Sequence, residues 1–376
     1  EFSCFATVDG GAYWRKLSSG LPTVAVRDIN IQERENDLVL ATFGRGFYIM
    51  DDYSALRELT PEVLEEEAHL FSVRDAFQYQ PYSPIAASNT ISWLGPKGFQ
   101  GETYYLGKNP KFGAAFTYFL KDTYQSKEDL RKEAEGDRRK EGEDVFYPTY
   151  DQLSAEAKEE AAYLIFTVRD ANGEVVDEVR TNPSKGINRV YWDLKYPDID
   201  NVNTRKGDPT SNLSSGIMVL PGAYTVELAK SIDGMVTPLT KPVSFMVKDL
   251  DKRTLPATDP AAMLAYHREL SDLSKDANAL RGTFNELNER LEYYQAALRL
   301  VDNAELDKMV VSLEEKLKAI QIQLYGDPIK RRLEIDQAPS LTSRINTAIW
   351  TGRAAGDPTK TSAMVKAIAE EQLGPV

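Results

Sequence analysis

The chain has 376 residues, 42% of them hydrophobic, which is enough for two or three domains with cores of their own. Its formal net charge of -13 argues against binding nucleic acid or an anionic membrane surface through bulk electrostatics. The lone cysteine, Cys4, excludes an intramolecular disulfide and a cysteine-based zinc site. The sequence contains no apolar run long enough for a membrane span, and no signal peptide is visible at its start.

Residues 1–52 are predicted to be all β. An Asp9-Gly10-Gly11 turn joins two short strands, and a later Gly44-Arg45-Gly46 turn joins two more that end at Asp51-Asp52. Short strands and tight turns at this spacing are typical of a propeller or a meander. Because this is too little sheet to stand alone, the sequence is expected to begin inside a domain.

The first turn carries a recognisable pattern, Thr7-x-Asp9-x-Gly11-x-x-Trp14. It resembles the Asp-box, or bacterial neuraminidase repeat, usually Ser-x-Asp-x-Gly-x-Thr-Trp, with Tyr13 in place of the usual threonine. Asp9 is expected to accept backbone N–H bonds across the turn, Gly11 to take a positive φ, and Trp14 to pack between blades. Gly44-Arg45-Gly46 and the strand after it resemble the closing blade of sortilin-like repeat propellers. An unrelated hairpin with a Gly-Gly turn is the alternative.

Residues 53–85 are expected to form a connector, with a helix starting at Thr60-Pro61. Residues 86–250 follow as a second β region, in which several alternating strands indicate an immunoglobulin-like sandwich. A helical insert over 123–161 interrupts it. There, mixed charges between 126 and 144 predict an exposed helix with i,i+4 pairs, frayed near Gly136, and Ser154 is expected to cap a second short helix. A disordered loop is the alternative for the insert.

Two strand motifs in this region carry a second resemblance. Gly-x-Asn-x-Val-x-Trp-Asp spans 186–193, and Pro-Gly-x-Tyr-Thr-Val spans 221–226. The pair is similar to bacterial immunoglobulin-like modules of flagellar hook-capping proteins and to the region after the propeller in sortilin-like repeat proteins. Trp192 is expected in the core, because Val190 and Leu194 share its face. A sugar-stacking platform is the less favoured interpretation.

The polar stretch 197–216 contains the only metal-ligand candidates. Asp198, Asp200 and Asp208 offer the hard oxygen ligands that calcium prefers. Their spacing matches no calcium-binding loop, so a plain surface loop is the favoured interpretation. His69 and His267 lie in different regions without a second ligand at helical spacing, which makes a transition-metal site improbable. No cofactor is predicted.

Residues 259–376 are predicted to be helical. Apolar residues from Met263 to Val301 recur in alternating steps of three and four, which indicates a heptad seam along one long helix. A second helix, capped by Asn303, carries a similar stripe from Leu306 to Leu324, and the short loop between them favours antiparallel packing in a helical bundle. Alternatively, the longer seam over 263–301 overhangs its neighbour and binds a partner or a second copy.

The sequence shows no nucleophile elbow, phosphate loop or dinucleotide fingerprint, and no catalytic residue is assigned. The resemblance implies the C-terminal part of a secreted or envelope bacterial Asp-box repeat protein, a type often labelled glycosyl hydrolase. In sialidases the Asp-box is structural and lies away from the catalytic centre of the propeller. Arg45 is accordingly expected to serve the turn or blade packing.

The expected role is that of a non-catalytic accessory region, which supports upstream propeller blades and makes protein or glycan contacts. Two alternatives stay open. The chain could be part of a glycoside hydrolase whose active site lies mainly in upstream blades or at the blade–sandwich junction, or it could be a homodimerisation module built on the heptad seam.

Overall fold

The computed structural model describes residues 2–17, 20–79, 103, 107, 110–198, 214–250, 257–301, 303–353 and 357–374. These residues form a mixed α and β structure with several sheets and nine helices. Among them, no helix combines the length and apolarity that a bilayer crossing requires. The chain divides into unit 1 (Glu1–Leu194, Gly207–Asn212 and Pro221–Leu250) and unit 2 (Lys195–Lys206, Leu213–Leu220 and Asp251–Val376).

Unit 1 begins with two small antiparallel sheets. The first is a hairpin of β1 (Cys4–Ala6) and β2 (Arg15–Leu17). The second, called here the N-terminal sheet, consists of β3 (Val26–Gln32), β4 (Asp37–Thr42) and β5 (Phe47–Met50) in that order. The short strands and tight turns predicted for this segment are therefore present.

Residues 53–85, which were expected to form a connector, contain two helices and two strands. These are α1 (Ser54–Glu58), α2 (Pro61–Glu65), β6 (Ala68–Leu70) and β7 (Ala76–Gln78). The two strands join sheets of the second β region, β6 antiparallel and β7 parallel to their neighbours. Strands of three residues are too short to show a period in the sequence, so only tertiary pairing reveals them.

The second β region supplies the remaining strands of unit 1, with two strands of unit 2 between them in the chain. In order these are β8 (Ala114–Leu120), β9 (Tyr163–Asp170), β10 (Val175–Thr181), β11 (Gly186–Trp192), β12 (Lys195–Asp198), β13 (Ser214–Met218), β14 (Gly222–Ile232), β15 (Met235–Pro238) and β16 (Val243–Asp249).

Two sheets enclose the main core of unit 1. One has the order β10-β9-β14-β16-β7, with β15 paired to β14, and the other has the order β11-β8-β6. Aromatic rings meet between them: the Phe116 ring lies 6.0 Å from that of Phe166 and 5.7 Å from that of Phe245. Trp192 is 1% exposed and its ring lies 5.5 Å from that of Tyr224. The structure thus places Trp192 in the core, where it cannot serve as a sugar platform.

The charged insert contains α3 (Lys127–Glu141), which has no buried residue. Ser126 caps it through a reciprocal pair of hydrogen bonds with Asp129. The helix runs through Gly136 without a break and ends at Gly142, whose φ of 78° closes it in the left-handed region. Fraying near Gly136 was therefore the wrong expectation, because flanking i,i+4 ion pairs such as Arg131–Glu135, at 2.6 Å, accompany the glycine.

The second insert helix, α4 (Tyr150–Lys158), begins four residues before the expected cap Ser154. Thr149 is the cap: its hydroxyl accepts from the Gln152 backbone N–H, and the Gln152 side chain accepts from the Thr149 N–H. This reciprocal capping box satisfies two backbone N–H groups, so it fixes the start of the helix more strongly than a single serine hydroxyl would.

Unit 2 pairs β12 with β13 and contains the long helices. These are α5 (Pro260–Leu298), α6 (Ala304–Tyr325), α7 (Pro328–Arg332), α8 (Leu341–Arg353) and α9 (Lys360–Leu373). Asp259 and Asn303 cap α5 and α6 with their side chains. The core joins α5, α6, α8 and α9 through Leu273, Phe284, Leu291, Leu317, Leu324, Leu341, Ile345 and Ala369.

The heptad seam is only partly buried. Val301 lies beyond the end of α5 at Leu298, so it does not belong to the helix. Leu291 is buried, whereas Leu287 and Tyr294 are exposed. A straight helix drifts by about 20° per heptad relative to a 3.5-residue repeat, and this drift turns successive seam positions away from the packed face.

Candidate functional site

The Asp9-Gly10-Gly11 turn has the local geometry that its sequence predicts. The Thr7 hydroxyl donates to the Asp9 carboxylate over 2.7 Å, and the Tyr13 N–H donates to the same Oδ1 over 3.0 Å. These two donors lower the pKa of Asp9, with Thr7 the larger cause. Gly10 and Gly11 adopt φ values of 72° and 100°. The carboxylate of Asp9 is therefore used to hold the turn.

The other residues of the two N-terminal motifs lie on the surface. Trp14, expected to pack between blades, is 59% exposed. Gly44 and Gly46 have φ values of 75° and 73°, which explains the glycines on either side of the exposed Arg45. The motifs therefore supply turns and an uncovered aromatic ring.

The N-terminal sheet exposes apolar side chains on both of its faces. Cross-strand register places Ile29, Leu40 and Tyr48 on one face, and Phe47 and Ile49 on the other. Ile29 is 51% exposed, while Phe47 and Ile49 are 75% and 59% exposed. The face with Ile29 is mainly apolar on all three strands. On the other face, β3 contributes the polar residues Asp28, Asn30 and Gln32, as expected of a solvated face, so the exposed apolar side chains there lie on β4 and β5.

A cleft of about 420 Å³, called here the junction cleft, lies where the N-terminal sheet meets the second β region. The N-terminal segment contributes its turn residues and the two aspartates after β5, and the second region contributes the ends of β7, β8 and β11. The lining residues are Glu35, Asp51, Asp52, Arg74, Asp75, Ala76, Phe77, Tyr79, Pro110, Lys111, Gly113, Ala115, Arg189 and Tyr191.

Two arginines hold the walls of the junction cleft together. Arg189, on β11, donates to the Asp51 carbonyl over 3.1 Å and to the Asp52 carbonyl over 2.8 Å. Arg74 donates to the Glu35 carbonyl over 2.9 Å and to the Glu35 carboxylate over 3.0 Å. Charge-assisted bonds of this kind are the stronger ones in proteins, so the position of the N-terminal sheet against this wall is specific.

Asp51 is the unusual carboxyl group of the junction cleft. Burial raises its pKa, and the neighbouring Asp37 carboxylate adds to the effect, while Arg189 and Arg74 oppose it. Within the described residues, no hydrogen bond reaches its carboxylate. Perturbed carboxyl groups in clefts are candidates for functional groups.

The remaining acids of the junction cleft are engaged. Glu35 pairs with Arg74 at 3.0 Å, and Asp75 pairs with Lys248 at 2.5 Å. The Asp52 carboxylate accepts the Ser54 hydroxyl over 2.6 Å. Glycoside hydrolysis needs two cooperating carboxyl groups about 5–10 Å apart. Among the acids that line the described part of the junction cleft, Asp51 is therefore the one whose carboxylate no other side chain engages.

Two tyrosines and a lysine complete the junction cleft. The Lys111 ammonium lies 5.6 Å from the centroid of the Tyr191 ring, a cation–π distance. Tyr79 packs edge-on against Phe112 with ring centroids 5.1 Å apart, and part of its ring stays exposed. The cleft therefore combines aromatic surface with both donors and acceptors.

The suggested calcium ligands are not brought together by what the structure describes. Asp200 and Asp208 lie outside the described residues, and Asp198 ends β12 with a side chain that is likewise outside them. Across the described ranges, no three His, Cys, Asp or Glu side chains form a metal-type cluster. His69 instead pairs with Glu66 at 2.8 Å.

Comparison of the chain with protein families, curated proteins and solved structures finds no match.

Sequence reasoning named the junction between the two β regions only as an alternative location for an active site, and it did not identify the residues that line the junction cleft. Asp51 was noted only as the end of a strand motif, and Arg189 and Tyr191 only as members of a predicted strand. Arg189 reaches carbonyl groups 138 and 137 residues earlier in the chain, and no local pattern encodes that contact. The one available signal was Asp51-Asp52 itself, an acidic pair directly after an apolar strand.

Proposed function

We propose that this chain is the non-catalytic accessory and interaction region of a secreted or envelope Asp-box repeat protein. In this proposal the N-terminal sheet and the Asp-box hairpin belong to the closing part of a β-propeller. The two larger sheets form an immunoglobulin-like sandwich, and the helices of unit 2 form a bundle. The chain supports the upstream blades and makes protein or glycan contacts.

The observation that carries the proposal is that exposed apolar side chains lie on both faces of the N-terminal sheet. Phe47 and Ile49 on one face and Ile29 on the other are each more than half exposed. Blades of a propeller are stacked radially with side chains packed between neighbours. A sheet with such exposed apolar side chains is suited to this place, and the exposed Trp14 of the preceding hairpin would be covered in the same way.

The test is hydrogen exchange in the full-length protein and in this chain alone. If upstream blades cover the N-terminal sheet, amides of residues 26–50 exchange more slowly in the full-length protein, while those of α8 and α9 exchange equally in both. Ile49→Ser then lowers the melting temperature of the full-length protein but leaves that of this chain unchanged. Equal exchange over residues 26–50 in both proteins would refute the proposal.

A second candidate role, homodimerisation through the helices, is favoured by one observation. Leu287 and Tyr294 on α5 and Leu306 and Leu313 on α6 are exposed at positions of the predicted seams. Sedimentation velocity at micromolar concentration tests it. A dimer that Leu287→Ser converts to a monomer supports this role, and a strict monomer excludes it.

A further inference from the structure

The junction cleft contains polar and aromatic groups that the contacts fixing its walls do not use. Its walls are already fixed by Arg189 and Arg74, yet the partly buried Asp51 carboxylate receives no hydrogen bond from the described residues. A carboxylate that lines a cleft and receives no hydrogen bond from the protein is free to accept hydrogen bonds from a ligand. We propose that the junction cleft binds a neutral sugar unit, with Asp51 accepting its hydroxyl groups. This deepens the proposed function by naming the ligand class of its glycan contacts.

The charge of the junction cleft points to a neutral ligand. Its carboxylates are Glu35, Asp51, Asp52 and Asp75, and its cations are Arg74, Lys111 and Arg189. These nearly cancel, so the cleft offers no strong field to either an anion or a cation. Sites for phosphate or nucleic acid present an excess of cations instead.

The available hydrogen-bonding groups suit hydroxyls, which donate and accept equally well. Asp51 provides an acceptor and the Lys111 ammonium a donor, since the described residues form no ion pair with Lys111. The Tyr191 hydroxyl can do both. A polar group that offered only donors or only acceptors would leave part of this set unsatisfied.

The aromatic groups and the volume fit a sugar ring. The exposed part of the Tyr79 ring offers an apolar surface to the C–H face of a pyranose, beside the polar groups that fix its orientation. The volume of about 420 Å³ lies within the usual range of small-ligand sites, roughly 300–1,000 Å³. One or two sugar rings can therefore enter.

The experiment titrates this chain with cellobiose, maltose, N,N′-diacetylchitobiose and glucuronic acid, and follows binding by calorimetry and saturation-transfer NMR. We expect at least one neutral disaccharide to bind with a Kd on the order of 1 mM, and glucuronic acid to bind more weakly. Asp51→Asn should weaken that binding about tenfold, because an amide cannot replace a carboxylate as a double acceptor. The variant should fold, since Arg189 contacts the backbone carbonyl of residue 51 and not its side chain.

Lys111→Met, at an exposed position, provides a second variant and should weaken binding several-fold. Asp276→Asn, an exposed acid on α5, is the matched control and should leave the affinity unchanged. A further control addresses the exposed Trp350 in a separate groove of unit 2. Binding that is lost in Trp350→Ala and kept in Asp51→Asn would overturn the inference.

Two other results would also overturn the inference. One is that no disaccharide binds at a sugar concentration of about ten times the expected Kd. The other is that glucuronic acid binds more tightly than every neutral disaccharide. These failures are distinct from failure of the proposed function. Cleavage of a bound disaccharide would refute the non-catalytic role while leaving the binding site in place. Absence of sugar binding would leave the hydrogen-exchange result for the N-terminal sheet unaffected.

Discussion

Gly113 illustrates how a single residue determines the packing of the second β region. It precedes β8 with a φ of 118°, which side chains larger than hydrogen rarely adopt. A Cβ built there would lie 1.9 Å from the Trp192 carbonyl oxygen. Because that atom belongs to the backbone of a paired strand, it cannot move aside as a flexible side chain would. Glycine is therefore required where β8 approaches β11.

We expect Gly113→Ala to lower the free energy of unfolding by about 2–4 kcal/mol, the range typical of a strained backbone combined with a steric clash. Urea denaturation measures the change. Gly136→Ala is the matched control, because a Cβ at Gly136 meets no atom within 4 Å inside α3. That variant should gain about 0.5–1 kcal/mol of stability. Equal effects of the two substitutions would contradict the expected clash.

Asp177 is a partly buried carboxyl group with a strongly raised pKa. Burial raises its pKa to about 6, and the Asp193 carboxylate nearby adds to this. The Glu178 N–H, at 2.8 Å, and the Trp192 side chain donate hydrogen bonds that partly oppose the shift. A carboxyl group with a raised pKa is more protonated in the folded state than in the unfolded chain, so it makes stability depend on pH.

The sign follows from the two pKa values. The unfolded carboxyl titrates near pH 4 and the folded one near pH 6, so the protonated group's contribution is complete below about pH 4 and is lost as the pH rises through 6. Asparagine does not titrate, so Asp177→Asn does not lose this contribution as the pH rises. The free energy of unfolding of Asp177→Asn, relative to that of the natural chain, should therefore increase by about 2–3 kcal/mol between pH 4 and pH 7. Denaturation curves at several pH values measure it. A difference that stays flat over this pH range would refute the assignment.

At the scale of one element, α6 shows that a predicted seam is not buried evenly. Leu317 is 5% exposed and belongs to the helical core, whereas Leu313, one turn earlier, is 43% exposed. Both were expected on one packed stripe. The burial of each position depends on which neighbouring helix reaches that turn, and the heptad pattern does not contain that information.

This pair gives a matched test, because both substitutions have the same helix propensity cost. Leu317→Ala should lower the free energy of unfolding by about 2–4 kcal/mol through lost burial and a cavity. Leu313→Ala should stay within about 0.5 kcal/mol of the natural chain. Chemical denaturation in dilute solution measures both. If Leu313→Ala costs as much as Leu317→Ala, the exposed stripe is covered in solution, as a dimer would require.

For the whole molecule, net charge and exposed apolar surface act together. The net charge of -13 at pH 7 makes copies of the chain repel one another. The net charge falls to zero near the isoelectric point of about 4.9. At that pH charge repulsion no longer prevents the exposed apolar side chains of the N-terminal sheet, including Phe47 and Ile49, from bringing copies together.

We therefore expect turbidity of this chain to be greatest near pH 5, as measured by light scattering from pH 4 to pH 8. The double substitution Phe47→Ser and Ile49→Ser should reduce the maximum several-fold without moving it along the pH axis. Met364→Ser, an exposed position on α9, is the control and should change little. A maximum that persists in the double variant would show that another surface drives association.

The sequence alone determined the local features of this protein. The Asp9-Gly10-Gly11 turn, the Thr60 cap of α2 and the Asp259 and Asn303 caps of α5 and α6 each lie within a few residues of the groups they bind. Such interactions depend on spacing along the chain, and spacing is what a sequence shows directly.

Only the tertiary structure decided which surfaces meet. It brought Arg189 to the carbonyl groups after β5, set β7 parallel to β16, and left part of the heptad seam uncovered. Each of these depends on contacts between residues far apart in the chain, where many pairings satisfy the same hydrophobic pattern. Packing and hydrogen-bond satisfaction of the whole unit select among them, so the junction cleft is a property of the fold and not of any single motif.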